Sequence, residues 1–306
     1  MLNIKFTVCI TYFYKRNNIN LLLNEINKYK LKNIEILIRN DNPSTKLKIS
    51  KKKNIRVFNA QNKALGEIDS IKFLISKSSG TYISIVADDD LISHKIFYEL
   101  NKININKFDS FLFLSTTNIN LFQSNCKIFL KKKIDLLNFF FKRKVYLSGT
   151  VGTVFKKEFL LNHINKCTFL KYNFDLFVLF IMFFFGNLKI YNKIYGYNNV
   201  QSSIISSKKI NISKYVNDTN TLSYFFNKKN YNYKILYFSF SKFFLDNFYS
   251  ILFRKKICNF NFHDIIKFHI IFFNNSSNIK KLIIIIMLFK NIIKIYIKKL
   301  IVFLNN

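Results

Sequence analysis

The sequence has few of the residues that interrupt regular structure, and few acids. Its 306 residues include one proline, six glycines and no tryptophan. The four cysteines lie far apart and form no CxxC pair, which excludes the usual cysteine zinc sites. Runs such as Leu176–Phe185 and Leu282–Phe289 are too short to cross a bilayer. No cleavable-signal pattern precedes the strand-like segment Lys5–Thr11, so we expect a cytoplasmic protein with reduced thiols.

Negatively charged residues are also scarce, since the sequence has 16 acidic residues and 49 lysines and arginines. The formal net charge of +33 will attract anionic lipids and nucleic acids without specificity. Two explanations stay open. The lysine-rich, phenylalanine-rich composition is typical of an AT-rich genome, and it also suits a protein that works at a membrane surface.

Turn residues are distributed unevenly along the chain. All six glycines and the proline precede residue 200, and the remaining third is dominated by Phe, Ile, Asn, Tyr and Lys. This predicts consecutive helices there. We therefore place a boundary near Ser206, with one domain over 1–205 and a basic helical region over 206–306.

Short apolar runs alternate with amphipathic segments in the first domain. This alternation predicts βαβ units, and hence an α/β fold with a mostly parallel sheet flanked by helices. The predicted strands are Lys5–Thr11, Ile34–Arg39, Ile55–Phe58, Thr81–Ala87 and Phe108–Leu114. The predicted helices are Asn17–Lys30, Ala64–Lys77, Ser93–Asn101, Lys157–His163 and Leu176–Phe185.

Polar residues follow several of these strands. Thr11 ends the first strand, Asp41 follows the second, and Asp88, Asp89 and Asp90 follow the strand Thr81–Ala87. Ligands of open α/β sheets bind beyond the carboxyl ends of the strands, so these residues should share one edge.

The three consecutive aspartates are the most informative feature. Adjacent carboxylates repel one another unless a cation compensates. Oxygen ligands suit Mg²⁺ or Mn²⁺, which are often held by one or two carboxylates and substrate phosphates. The alternative is a solvated acidic turn that caps the following helix. Asp175 is a separate carboxylate at the start of an apolar helix, where it is either functional or an N-terminal capping residue.

Taken in order, these segments resemble a GT-A glycosyltransferase of the family 2 type. The resemblance covers roughly residues 5–205. Val8–Tyr12 is similar to the family's opening strand, and Ile34–Ser44 is similar to its second strand with the Asp-containing loop. Ser79–Asp90 resembles the approach to the DXD motif. Asn173–Gly186 resembles the catalytic-base segment, and Tyr197–Ser203 resembles the segment that closes over the diphosphate.

The resemblance implies an inverting transfer from a nucleoside-diphosphate sugar, UDP by default, to a glycan or lipid-linked acceptor. Asp175 would be the catalytic base. Asp89 and Asp90 would bind Mn²⁺ or Mg²⁺, although any two of Asp88, Asp89 and Asp90 could supply the metal ligands. The nucleotide would lie against the remaining candidates, which are Thr11, Tyr12, Asp41 and Asp88. The implied setting is bacterial surface polysaccharide or lipooligosaccharide assembly.

The sequence departs from the family pattern at three positions. Ala87 stands where many relatives have the first Asp of DXD, Phe174 stands where a Glu often precedes the base, and Asn198 stands where an Arg is common. A degenerate glycosyltransferase fold is therefore one alternative. No QxxRW motif occurs, which disfavours a processive polysaccharide synthase.

The C-terminal region ends in a candidate amphipathic helix, Ile279–Leu304. Lys290, Lys294 and Lys298 recur every fourth residue within an otherwise apolar segment. Such a helix either lies in an anionic membrane interface or packs on the catalytic domain. The first reading places the enzyme peripherally on the inner face of the cytoplasmic membrane. The alternative function is that of a non-catalytic basic protein that binds membranes or nucleic acid. For the glycosyltransferase we expect no specific nucleic acid partner.

Overall fold

The computed structural model describes residues 5–12, 18–28, 33–47, 49, 54–124, 148–165 and 174–198, with residues 218 and 222. The chain divides into two compact units. The first comprises Met1–Lys133 and Tyr146–Ser207, and the second comprises Ile134–Val145 and Lys208–Asn306. The predicted C-terminal helix Ile279–Leu304 lies outside the described residues, and the helical nature of 206–306 stays a prediction.

One half of the central sheet is a parallel β-α-β arrangement. Its strands lie in the order β3-β2-β1-β4, and all three pairings are parallel. The strands β1 and β2 are buried along nearly their whole length, as expected of apolar strands covered on both faces. The four strands are β1 (Phe6–Tyr12), β2 (Ile34–Asn40), β3 (Ile55–Asn59) and β4 (Tyr82–Ala87).

The other half of the sheet is mixed. β7 lies between β4 and β6 and is antiparallel to both, whereas β8 runs parallel to β6 and antiparallel to the short β5. Alternation of apolar segments did not predict β5 or β7, because strands this short carry little periodic signal. These strands are β5 (Leu91–Ile92), β6 (Ser110–Thr116), β7 (Thr153–Lys156) and β8 (Leu188–Tyr197).

Helices flank the sheet, and all but the short helix Ile119–Ser124 lie close to where the sequence predicts a helix. They are α1 (Asn18–Asn27), α2 (Glu67–Lys77), α3 (Lys95–Asn101), α4 (Ile119–Ser124), α5 (Lys157–Ile164) and α6 (Phe174–Phe184), with a 3₁₀ turn at Ile105–Lys107. The sixth helix is apolar on nearly every side, and eight of its eleven residues are buried. A helix of this composition belongs in the core, as predicted for Leu176–Phe185.

The parallel strands bring their carboxyl ends to one edge. Thr11 is in register with Arg39 on one side and with Ala87 on the other. The chain leaving each strand is tied to its neighbour there, since the Asp41 N–H donates to the Tyr12 carbonyl and the Asp88 N–H donates to the Thr11 carbonyl. The carboxyl ends of β1, β2 and β4 are therefore adjacent.

Within the described residues, no helix combines the length and the apolar character that a membrane crossing requires.

Candidate active site

The predicted nucleotide residues meet at the carboxyl edge of the sheet. Thr11 is half-buried. Tyr12 is buried, and the negative charge of Asp88 acts on its phenol. Burial and that negative charge together raise the pKa of the Tyr12 phenol. Tyr12 therefore stays a neutral hydroxyl beside a carboxylate, which suits hydrogen bonding to a polar ligand.

Asp41 is held mainly by the protein itself. Its two carboxylate oxygens accept the N–H groups of Leu65 and Gly66 at 2.7 and 2.8 Å, and only 3% of the residue is exposed. The Arg39 Nε lies 3.9 Å from one of these oxygens. Asp41 thus fixes the turn that starts α2, and a contact with a nucleoside would have to use its remaining lone pairs.

That turn needs a glycine. Gly66 has a φ of +89°, a conformation that other residues adopt only with strain. Because Asp41 holds the N–H of Gly66, the next residue, Glu67, begins α2 at the same edge of the sheet.

The three aspartates form the turn after β4. Asp90 is buried, whereas Asp88 and Asp89 are half-buried, and the Asp90 N–H closes the turn by donating to the Ala87 carbonyl at 3.2 Å. The turn leads into β5 and α3, which begins at Lys95. Ser93 Oγ accepts the N–H of Lys95 at 3.3 Å at the start of this helix.

The donor atoms of this turn fit a hard divalent cation. All of the side-chain ligand atoms are carboxylate oxygens, which a hard divalent cation prefers. Among the residues that the structure describes, no three His, Cys, Asp or Glu side chains converge on a single metal position. The fit is therefore to a cation held by one or two carboxylates plus phosphate oxygens and water, which is a common arrangement for Mg²⁺.

Asp175 lies in the first turn of α6, where two hydroxyl groups bind its carboxylate. Thr150 Oγ1 donates to Oδ1 at 2.7 Å, and Ser148 Oγ lies 3.2 Å from Oδ2. Burial raises the pKa of Asp175, and these two hydroxyl groups counteract part of that rise. A hydrogen-bonded carboxyl with a raised pKa has the properties of a general base.

The loop that carries these hydroxyls touches the start of α6. A Cβ atom added to Gly149 would lie 1.9 Å from the carbonyl oxygen of Asp175, so only glycine permits this approach. The loop therefore lies directly against the backbone of the candidate base.

Sequence reasoning missed Glu67 as a site residue. Burial and the negative charges of Asp175 and Asp89 together raise its pKa to about 7. The Glu67 side chain is exposed, so water screens both effects. The sequence feature that could have indicated Glu67 is the Gly66-Glu67 pair ahead of a predicted helix.

Glu67 also shows that the candidate residues belong together. The charges of Asp89 and Asp175 both act on it, although these aspartates are far apart in the sequence. The base candidate and the metal candidate Asp89 thus both lie near Glu67, and we call the region around this side chain the recess. Of the predicted diphosphate-closing segment, only Tyr197 and Asn198 lie within the described residues.

No family model and no curated protein matches the sequence. Solved structures match its fold. Residues 1–349 of S. aureus TarS in complex with UDP-GlcNAc align with a TM-score of 0.61 and 12% identity, covering 90% of this chain and 83% of that chain. The complex of the same TarS segment with UDP gives a TM-score of 0.59 and 12% identity over 94% and 88% of the two chains.

The chain has a GT-A fold. The mixed sheet with its parallel half, and the helices around it, agree with this fold, which confirms the predicted fold class. A longer TarS structure aligns with a TM-score of 0.57 and 11% identity, and this chain covers 50% of it. At such low identity the likeness concerns the fold alone, and activity must be argued from the site.

Proposed function

We propose that this protein is a glycosyltransferase that moves a sugar from a nucleoside-diphosphate sugar to a hydroxyl group of an acceptor. The observation that carries the proposal is the arrangement of carboxylates in the recess. Asp89 and Asp175 both act on Glu67, which supports a shared site for the proposed metal-binding turn and the hydrogen-bonded carboxylate of Asp175.

The chemistry requires two different carboxylate roles. Asp175 takes the proton of the acceptor hydroxyl, whose oxygen forms a bond to the anomeric carbon of the donor. The bond from that carbon to the diphosphate oxygen breaks, and the electron pair leaves with the diphosphate. Attack from the face opposite the leaving group inverts the anomeric configuration.

The aspartate turn would serve the leaving group. Asp89 and Asp90 are the proposed ligands of Mn²⁺ or Mg²⁺, and Asp88 is the proposed partner of the nucleotide. A divalent cation supplies charge neutralisation for a departing diphosphate. Thr11, Tyr12 and the rest of the β1 end would line the nucleoside side of the recess.

The UDP nucleotide, family 2 membership and a role in surface-glycan assembly are parts of the same proposal. They are supported by the motif resemblance. The two TarS complexes, which hold UDP-GlcNAc and UDP, make uridine nucleotides the first donors to test. Contact of the basic C-terminal region with an anionic membrane would bring a lipid-linked acceptor to the recess.

Thermal unfolding tests the donor site directly. Purified protein is heated with UDP, GDP, dTDP or CDP, each with and without Mn²⁺. A ligand at about 100 times its dissociation constant stabilises the fold by roughly 2.7 kcal/mol, which raises Tm by several degrees. We expect a Mn²⁺-dependent rise with one nucleotide, and UDP is the leading candidate.

Two variants make the test specific. Asp89→Ala should remove the Mn²⁺-dependent rise, whereas Glu158→Ala, which removes an exposed carboxylate from α5, should keep it. If no nucleotide raises the Tm of the folded wild-type protein, the proposed donor site is wrong. The function of a non-catalytic basic binding protein is then favoured. A shift that persists in Asp89→Ala would remove Asp89 from the metal site.

A further inference from the structure

The loop 148–150 is built around the carboxylate of Asp175. Thr150 Oγ1 donates to Oδ1 at 2.7 Å, and Ser148 Oγ lies 3.2 Å from both Oδ2 and Thr150 Oγ1. Both hydroxyl residues are buried, with 1% of Ser148 and 7% of Thr150 exposed. Two buried hydroxyl groups therefore face one carboxylate, which is itself only half-buried.

The loop also has hydrogen bonds of its own. Ser148 Oγ accepts the N–H groups of Thr150 and Val151 at 3.2 and 3.0 Å. Thr153 Oγ1 lies within 2.9 Å of the Gly149 and Thr150 carbonyl oxygens, at the start of β7. The backbone that carries the two hydroxyl groups is thus held by bonds that do not involve the carboxylate.

The direction of these bonds favours one protonation state. An ionised carboxylate accepts hydrogen bonds through both oxygens, whereas a protonated carboxyl must place a donor of its own. The Thr150 bond is the shorter, and the single Ser148 proton is shared between Asp175 and Thr150, so Thr150 should contribute most. Burial of the carboxylate at the start of the apolar helix α6 acts in the opposite sense.

We propose that Thr150, with Ser148, is a positioning residue that keeps Asp175 ionised and holds its carboxylate in one orientation. The proposal that this carboxylate then serves as a base rests on the proposed function. The effect on ionisation does not, and it can be measured without any substrate.

Carboxyl ¹³C NMR of aspartate-labelled protein measures that effect. The Asp175 signal is assigned by its loss in Asp175→Asn and titrated in wild type, Thr150→Val and Thr150→Ser. Thr150→Val keeps the shape of the side chain and removes its hydroxyl. We expect the Asp175 midpoint to rise by on the order of one pH unit in Thr150→Val and to stay near the wild-type value in Thr150→Ser.

The control is Thr81→Val, at an exposed threonine immediately before β4, which should leave the Asp175 titration unchanged. Equal midpoints in wild type and Thr150→Val would overturn the inference. An equal rise in Thr150→Val and Thr150→Ser would overturn it too, because the hydroxyl would then not be the cause. Melting curves of all variants identify any that fail to fold, and Ser148→Ala then serves as the second variant, with a smaller expected rise.

Release of UDP from UDP-GlcNAc with Mn²⁺, followed against pH, links the effect to activity. A base acts only when deprotonated, so the rate falls as pH drops through its pKa. We expect the acidic limb of the Thr150→Val profile to move to higher pH by the same amount as the NMR midpoint. If NMR shows the shift and Asp175→Asn remains fully active, the positioning effect stands and the base assignment in the proposed function fails.

Discussion

At the residue scale, the site depends on how closely the loop 148–150 approaches the start of α6. Gly149 permits the contact with the Asp175 backbone, and Thr150 makes the short hydrogen bond to its carboxylate. The position of the candidate base is therefore set by packing as much as by its own helix. Glu67 completes the recess from a third element, α2.

Gly149→Ala should displace the candidate base Asp175 and leave the proposed nucleotide site unchanged. The added Cβ would lie 1.9 Å from the Asp175 carbonyl oxygen, so one of the two backbone segments must move. Overpacking of this kind costs about 1–3 kcal/mol. We expect a lower Tm by urea or thermal melts, and a loss of UDP release from UDP-GlcNAc larger than any change in UDP affinity. Unchanged stability and turnover would show that the contact is not tight in solution.

At the scale of elements, Glu35 joins the parallel strands at the edge opposite the site. This buried β2 side chain accepts from Thr7 Oγ1 at 2.7 Å, from Arg56 Nη2 at 2.9 Å and from the Ser79 N–H. Burial alone would raise the pKa of Glu35, but these donors outweigh it and hold the pKa below its ordinary value of 4.5. One carboxylate thus connects β1, β2, β3 and the turn before β4.

Glu35→Gln should make the protein less stable near neutral pH but not in acid. A depressed folded-state pKa contributes stability above the unfolded value, and that contribution disappears as pH falls through the lower folded value. We expect a loss of about 1–3 kcal/mol at pH 7, shrinking below roughly pH 4.5. Urea unfolding at several pH values measures it. Glu158→Gln, at an exposed position, should show no such pH-dependent difference.

At the scale of the whole molecule, the net charge of +33 is the dominant property. Charge of this size attracts anionic surfaces over about one Debye length, which is about 10 Å at 0.1 M salt. Membrane binding could come from the overall charge or from the three lysines of the final segment, which are Lys290, Lys294 and Lys298. A single binding measurement would not distinguish these two origins. They differ in how they respond to removal of particular lysines.

Vesicle sedimentation separates these two origins. We expect binding to vesicles containing phosphatidylserine that weakens steeply with added NaCl, and little binding to neutral vesicles. Replacing Lys290, Lys294 and Lys298 with Gln should weaken binding more than replacing Lys51, Lys52 and Lys53, if the final helix lies in the interface. Equal effects of the two triple variants would assign the binding to overall charge.

Much of this molecule follows from local sequence. The strands β1, β2, β3 and β4 and the helices α2 and α6 were predicted within a few residues, because burial and alternation leave a periodic pattern in each segment. The placement of Thr11, Asp41 and Asp88 at one edge follows as well, since parallel strands end on the same side. The fold class is confirmed on that basis, whereas the individual roles of the site residues stay predictions.

Tertiary structure decided what no local pattern records. The insertion of β7 between β4 and β6 brings Gly149 and Thr150 to Asp175, and the clamp of Asp41 on Leu65 and Gly66 brings Glu67 into the recess. These contacts join segments that are about 25 residues apart or more. Hydrogen bonds and steric contacts act over a few ångströms, so a chain shows which of its residues meet only once it is folded.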